Sequence, residues 1–388
     1  MTKIYWYAPF NNAGELETAV ELAKSPSIDL MVQSIAERFG RALDTASPGS
    51  VRLHRDLPAP SGEGTTRRSV VDRARTAIDR AVKRHRFVKA NHFDLIHLHT
   101  YNPVTDWLAI PLLKRLSPIV IQSVHNVRPH DSVFPHRMET ILLRQGYGAC
   151  TAIFVAHPIL KSMLVDEMGV FADRIHIVPF ALTMPVVPPR TCDPDPPRPV
   201  RFLFFGTFRN NKGIEVLVEA IDLLESMSGS VGHDCEFVFA GRGEAALEQL
   251  VRECGGRNPR VTVEIGFVTS ERRTRLYGDA DCVLLPYTEL KAQSGVLHDA
   301  YASRLPVIAS GVGALGDAVR SHATGWVVPP NDVTALAEAI LEVASSPQDR
   351  QAAAERAGTL AESHSTSSIA HLIEELYGRY LDRESAAR

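Results

Sequence analysis

Short apolar runs separated by longer stretches of helical periodicity recur along most of the chain. Ile4–Tyr7, Asp94–His99, Ile119–Val124, Ala152–Val155 and Ile175–Pro179 read as strands. Between them, Glu15–Lys24 places Leu16, Ala19, Val20 and Ala23 on one helical face. Residues 67–89 do the same with Val70, Ala74, Ala77, Ile78, Ala81 and Val82, a stripe expected to pack on the first sheet. The pattern stops at 184–199, where seven prolines exclude helix and inner strand. It resumes at Arg201–Gly206 and runs through Glu236–Ala240, Val261–Ile265, Cys282–Leu285 and Pro306–Ala309. Strands alternating with helices predict α/β domains with parallel sheets. The expected organisation is a first domain at 1–183, a semi-rigid linker at 184–199 and a second domain at 200–365. A helical segment at 366–388 has no strand after it and is expected to pack back on the first domain.

Composition narrows the class only a little. The chain has 388 residues, enough for two or three domains. Apolar residues make up 45% and charged residues 22%, the range of globular proteins. A formal net charge of −3 does not announce a nucleic-acid partner. The five cysteines are far apart and form no CxxC pair, so neither a zinc site nor a disulfide framework is implied, and a cytoplasmic setting is expected. The first residues lead straight into a strand and do not read as a signal peptide. No apolar run approaches the roughly 20 residues of a membrane span, so any work at a membrane is expected to be peripheral, at its inner face.

Two segments carry candidate chemistry. Phe205-Gly206-Thr207-Phe208-Arg209-Asn210-Asn211-Lys212-Gly213 follows a strand and opens a helical pattern at Ile214–Leu224. A glycine turn, two cations and a helix start together suit a phosphate-bearing ligand, although such cations are also common as solvated loop residues. The second segment is Gln293-Ser294-Gly295-Val296-Leu297-His298-Asp299, again between a strand and a helix. Ser294 and Gly295 suit a second phosphate and Asp299 a ribose hydroxyl; the plain alternative is Ser294 as a helix cap.

These segments, with Gly278-Asp279-Ala280-Asp281, Leu285-Pro286-Tyr287, Leu305–Ser310 and Gly325–Pro330, appear in an order that resembles the retaining glycosyltransferases of the GT-B class, family 4 type, with a Gln-Ser-Gly loop. In the first domain, Gly14, His99 and Ser123-Val124-His125-Asn126 match more loosely. The resemblance implies two Rossmann-like doubly wound domains facing across a cleft that holds the site. It implies a nucleotide-sugar substrate, UDP- or GDP-linked, and a carbohydrate, lipid-linked or small-molecule acceptor, in polysaccharide, glycolipid or glycoconjugate synthesis. Arg209 and Lys212 would hold the donor diphosphate next to Gly206, with Gly14 near the phosphates. Ser294 and Gly295 would take the distal phosphate and Asp299 the ribose, with Gln293 and Val296 also among the donor-binding residues, and Gly266, Phe267 and Val268 would meet the base through the backbone. Arg209, Lys212 and His125 are the catalytic candidates. No cofactor and no metal are implied.

Departures bear on these roles. Lys291 stands where many members carry a glutamate, and Thr207 where an arginine is common. An inactive partner subunit and a nucleotide-sugar epimerase on the same plan are the alternatives. Asp279-Ala280-Asp281 spells a metal-binding pattern but lies just before a core strand, where the family's aspartate is structural. His97, His99, His130 and His136 match no metal-ligand spacing. Residues 67–89 carry nine Lys and Arg against Asp72 and Asp79. Arg73, Arg80, Lys83 and Arg84 are expected to face solvent or an anionic membrane. Nucleic acid is not favoured there, because no aromatic residue interleaves before Phe87.

Overall fold

The computed structural model describes residues 1–9, 14–35, 51–57, 70–128, 134–182, 198–226, 235–290 and 294–387. Most of the proline-rich segment, and Lys291 to Gln293, fall outside them. The chain divides into two compact units, Met1–Ala181 with Thr366–Arg388, and Leu182–Ser365.

In the first unit the strands are β1 (Thr2–Tyr7), β2 (Ile28–Ile35), β3 (Val51–Leu57), β4 (Leu95–Leu98), β5 (Ile119–Val124), β6 (Ala152–Val155) and β7 (Ile175–Ile177). The helices are α1 (Glu15–Leu22), α2 (Val70–Asn91), α3 (Asp106–Lys114), α4 (His136–Ala149) and α5 (Pro158–Asp166). The second unit contains β8 (Val200–Phe208), β9 (Cys235–Gly243), β10 (Val261–Ile265), β11 (Cys282–Leu285), β12 (Val307–Ser310) and β13 (Gly325–Val328). Its helices are α6 (Ile214–Ser226), α7 (Ala245–Arg257), α8 (Ser270–Asp279), α9 (Gly295–Ala302), α10 (Gly313–His322), α11 (Val333–Ser345) and α12 (Pro347–Ser363). The last helix, α13 (Thr366–Ala387), returns to the first unit.

Both sheets are parallel, in the orders β3-β2-β1-β4-β5-β6-β7 and β10-β9-β8-β11-β12-β13. Each order reverses once, between β1 and β4 and between β8 and β11. In open α/β sheets that switch point, at the carboxyl ends of the strands, is where ligands bind. Helices cover both faces of each sheet, which is why the inner strands are apolar throughout rather than alternating. Ile4 and Trp6 enter one core and Tyr5 and Tyr7 the other. In the second unit Phe202 and Phe204 pack on one side of β8 and Leu203 on the other.

The terminal helix packs on the first unit as expected: Ile369, Ala370, Ile373, Leu376, Tyr377 and Tyr380 join its core. The expectation for α2 is corrected. Ile78 and Val82 are 53% and 40% exposed, while Ala77 and Val88 are buried. Arg84 does not face outward. It is 2% exposed, donates to Asp106 Oδ1 at 2.6 Å and lies 4.7 Å from the centre of the Tyr7 ring. The cation therefore occupies the inner face and turns Ile78 and Val82 toward water. An ion pair this deep is tolerable because Asp106 and the Tyr7 ring face the charge, although the buried Arg84 Nε has no acceptor of its own. The side chain of Arg73 lies outside the described residues.

Candidate functional site

In the second unit the strand ends at the switch point are lined by backbone. Gly206 and Gly241 lie two residues before the ends of β8 and β9 and Gly266 directly follows β10, with φ of 130°, 148° and 149°. Gly206 pairs with Gly241, and a Cβ on Gly241 would come within 1.8 Å of the Gly206 carbonyl oxygen. The positive φ at these three positions favours glycine, so a ligand can approach the main chain there.

The loop after β8 continues as Arg209, a single tight turn at Asn210–Lys212, and Gly213. Gly213 has φ 65°, and a Cβ there would meet the Pro286 carbonyl oxygen at 1.8 Å, so only glycine lets this loop lie against the one after β11. The two loops are tied together by Thr288 N–H donating to the Asn211 carbonyl at 3.2 Å and by the Asn211 side chain donating to the Glu289 carbonyl at 3.3 Å. Lys212 Nζ sits 3.6 Å from the centre of the buried Tyr287 ring. Burial and the neighbouring Arg209 charge pull its pKa down to about 8. Among the described residues neither cation has a carboxylate partner. Two adjacent cations, one half-buried and repelled by the other, are the condition an anion relieves.

Tyr287 leads to the second segment. Its hydroxyl lies 3.2 Å from Ser294 Oγ, and burial pushes its pKa up to about 12. Ser294 caps α9, accepting from the Leu297 N–H at 3.4 Å, so the helix-cap reading and proximity to the loops hold together. Gly295 is exposed at the helix start. Val296 Cγ2 lies 3.6 Å from where a Gly206 Cβ would be. Asp299 is 7% exposed, with Arg273 Nη1 3.5 Å from its carboxylate. Burial raises its pKa to about 6 despite that arginine. Phe267 projects from the rim, 76% exposed, with the Arg242 guanidinium 5.7 Å from its ring, and Val268 packs behind it. Gln293 lies outside the described residues. Asp281 is taken up structurally: Arg198 grips it at 2.6 and 2.8 Å and the Arg201 N–H donates to it at 2.8 Å, at the opposite end of β11 from the loops.

In the first unit the switch point gathers a histidine and acid cluster. Gly14, φ 79°, precedes α1, and a Cβ there would lie 2.8 Å from the Ala181 carbonyl oxygen. Glu15 begins the helix, where the partial positive charge favours a carboxylate. Its Oε1 lies 2.7 Å from His125 Nε2 and 3.4 Å from His99 Nδ1. His125 Nε2 also faces the His99 carbonyl at 3.2 Å. Both partners accept, so Nε2 carries the proton. Burial pushes the Glu15 carboxyl up, and His99 and His125 more than reverse this, leaving it below its ordinary value. Burial lowers His99. His99 stacks on Trp6 at 3.9 Å and His125 on Phe180 at 5.1 Å. Trp6, Glu15, His99, Ser123, His125 and Phe180 line part of a cavity of about 50 Å³. His136 begins α4 and His130 is outside the described residues.

Sequence reasoning did not assign Glu15, Tyr287 or Gly241. Glu15 carried a signal, an acid directly after a loop glycine at a helix start. Gly241 carried another, a glycine ending an apolar strand as Gly206 and Gly266 do. Tyr287 stands in the Leu285-Pro286-Tyr287 segment of the resemblance with no role of its own until the loop geometry places Lys212 on it.

Two Rossmann-like units, one with a glycine rim and two cations that have no carboxylate partner among the described residues, make an arrangement suited to a phosphate-bearing ligand. Comparison with known proteins makes this specific. A family model described as "Glycosyl transferases group 1" matches residues 199–346 and one described as "Glycosyltransferase Family 4" matches residues 35–181. The chain belongs to the group 1, family 4 glycosyltransferases. It is similar to the alpha-D-kanosaminyltransferase of Streptomyces kanamyceticus, 33% identical over 167 residues, 42% of this chain and 41% of that protein. The match thus spans under half the length of that relative. Among solved structures, a glycosyltransferase from Rickettsia africae superposes with a TM-score of 0.71 at 15% identity, covering 98% of both chains. An Anabaena protein solved in complex with UDP does so at 0.65 and 15% identity, covering 98% of this chain and 100% of that one.

Proposed function

We propose that the chain transfers a sugar from a UDP- or GDP-linked donor to an acceptor hydroxyl with retention of anomeric configuration, in polysaccharide, glycolipid or glycoconjugate synthesis. The observation that carries this reading is the pair Arg209 and Lys212, set against the glycine rim without a carboxylate partner among the described residues. A relative solved with UDP supports the donor class. The bond between the anomeric carbon and the donor phosphate oxygen breaks, and the diphosphate leaves with extra negative charge. Lys212, Arg209 and backbone N–H groups of the loop meet that charge, which makes a divalent metal unnecessary. The acceptor oxygen bonds to the anomeric carbon on the face being vacated, and its proton passes to the departing phosphate. Ser294 and Gly295 serve the distal phosphate, Asp299 the ribose and the Gly266–Val268 segment the base. Gly14, whose positive φ and contact with the Ala181 carbonyl exclude a side chain, is the first unit's candidate for the donor phosphates. His125, held by Glu15 and the His99 carbonyl through its protonated Nε2, keeps its other ring nitrogen to accept from a sugar or acceptor hydroxyl.

Incubation with a panel of UDP- and GDP-sugars, following nucleotide release and the anomeric signal of the product by NMR, tests the reading. Release with a retained product configuration is expected when the acceptor is supplied. An epimerised sugar still attached to its nucleotide would replace transfer by epimerisation. Nucleotide binding with no turnover of any donor across an acceptor panel would favour the partner-subunit role.

Work at an anionic membrane fits the outer face of α2, where exposed Ile78 and Val82 lie among Arg75, Arg86 and Lys89. Among the described residues no helix is long and apolar enough to cross a membrane.

A further inference from the structure

The terminal helix α13 reaches a polar chain buried within the first unit. Tyr377 is 1% exposed, and its hydroxyl lies 2.5 Å from Nδ1 of His97, which has no exposed surface. The other ring nitrogen of His97 lies 2.8 Å from Ser123 Oγ. Burial holds His97 well below its ordinary pKa and Tyr377 well above its own, so both remain neutral and the link is one of directed hydrogen bonds. Because each group both donates and accepts only in a fixed sense, the direction at one end sets the histidine tautomer and the direction at the other.

Two routes lead from this chain to His125. Ser123 precedes His125 by two residues on β5 and its end, and both line the cavity. The His97 ring also lies 4.0 Å from the His99 ring, and His99 Nδ1 faces the Glu15 oxygen that holds His125. We propose that Tyr377 is a positioning residue for the His125 site: through His97 it fixes the Ser123 hydroxyl and the His99 ring, and thereby the Glu15–His125 pair. This rests on the reading of that pair as part of the transfer site.

Tyr377→Phe keeps the ring packed on Phe154 and removes only the hydroxyl, leaving His97 Nδ1 buried without its partner. The same helix supplies a control. Tyr380 makes an equivalent bond, its hydroxyl 2.8 Å from His176 Nε2, but His176 is on the edge strand β7 and has no bond into the Glu15–His125 pair. The experiment compares wild type, Tyr377→Phe and Tyr380→Phe in kcat, in KM for the sugar nucleotide and in the ¹⁵N shifts of the labelled histidine rings. For Tyr377→Phe the expected result is a kcat lower by roughly five- to tenfold, the scale of one buried hydrogen bond, with donor KM within about twofold. The ring signals of His99 and His125 should move with it. Tyr380→Phe should change neither.

Unmoved His125 signals in Tyr377→Phe, or the same changes in Tyr380→Phe, would overturn the proposal. If Tyr377→Phe does not fold, Ser123→Ala cuts the chain at its far end and must move the His99 ring signals for the proposal to stand. Should the wild type transfer no sugar, the functional reading falls, while the ring signals still judge the link between Tyr377 and His125.

Discussion

Replacing Lys212 by methionine removes one charge and keeps most of the unbranched stem over the Tyr287 ring. Two opposite consequences follow from its surroundings. In the unliganded protein the ammonium is half-buried beside Arg209, which is why its pKa falls to about 8. Below that value the folded protein carries a charge that water would solvate better, and above it the unfolded chain binds the extra proton. Wild-type stability should therefore rise with pH from about 8 toward 10.5, and Lys212→Met should lose that rise. At pH 7 the variant should be at least as stable as the wild type. Catalysis should suffer instead. At pH 7 roughly nine-tenths of Lys212 is charged, given its pKa of about 8. A unit charge about 4 Å away at an effective dielectric of 20 is worth roughly 4 kcal/mol, and half a unit of developing charge about 2 kcal/mol. Those energies correspond to about 30- to 10³-fold in turnover, in line with the loss of a single preorganised donor. Lys212→Arg should recover only part of it, because a planar fork does not replace a compact charge. The assay is kcat and KM with a turned-over donor, beside thermal unfolding at pH 7. Near-normal kcat in folded Lys212→Met would refute the assignment of this loop to the diphosphate.

Three further outcomes follow from the same geometry. Asp299 has a folded pKa of about 6 against 3.8, so the folded state binds the extra proton between those values and its burden on stability sets in as pH rises through them. Asp299→Asn should raise the melting temperature at pH 8 by an amount that vanishes near pH 4, while weakening nucleotide binding; no pH dependence in the difference would contradict the buried carboxylate. Turnover should be undiminished in excess chelator, since the cations at the phosphates belong to the protein, and activity lost there but restored by magnesium or manganese would reopen the Asp279–Asp281 reading. Flotation with anionic vesicles should weaken with salt and fall on Arg86→Glu, and equal flotation with neutral vesicles would remove the electrostatic contact.

Strands buried on both faces were legible in the sequence because their apolar runs are continuous. β5, β6 and β11 lie where the runs place them. β2 and β3, at and next to the edge of the first sheet, were not. β3 reads Val51-Arg52-Leu53-His54-Arg55-Asp56-Leu57, with polar residues between apolar ones, and β2 is interrupted by Asp29, Gln33 and Ser34. Gln33 and Ser34 are nonetheless fully buried, Gln33 by accepting from the Tyr5 hydroxyl. No periodicity distinguishes such a residue from a solvated one, because its partner is 28 positions away. Arg84 illustrates the same limit: a cation in a basic run reads as surface until Asp106 appears beside it. The loop around Lys212 was legible because strand end, glycine, cations and helix start are contiguous. The Glu15–His125 pair was not, since it joins residues 110 positions apart.

The central claim is that Arg209 and Lys212 form a cradle for a nucleoside diphosphate. Calorimetric titration of UDP and GDP into the wild type and into Arg209→Met/Lys212→Met, at pH 7 and with chelator present, tests it most directly. The account predicts saturable binding of one of the two nucleotides to the wild type, weakened at least tenfold or so in the double variant. Binding of equal strength in both proteins, or none to the wild type, would contradict it.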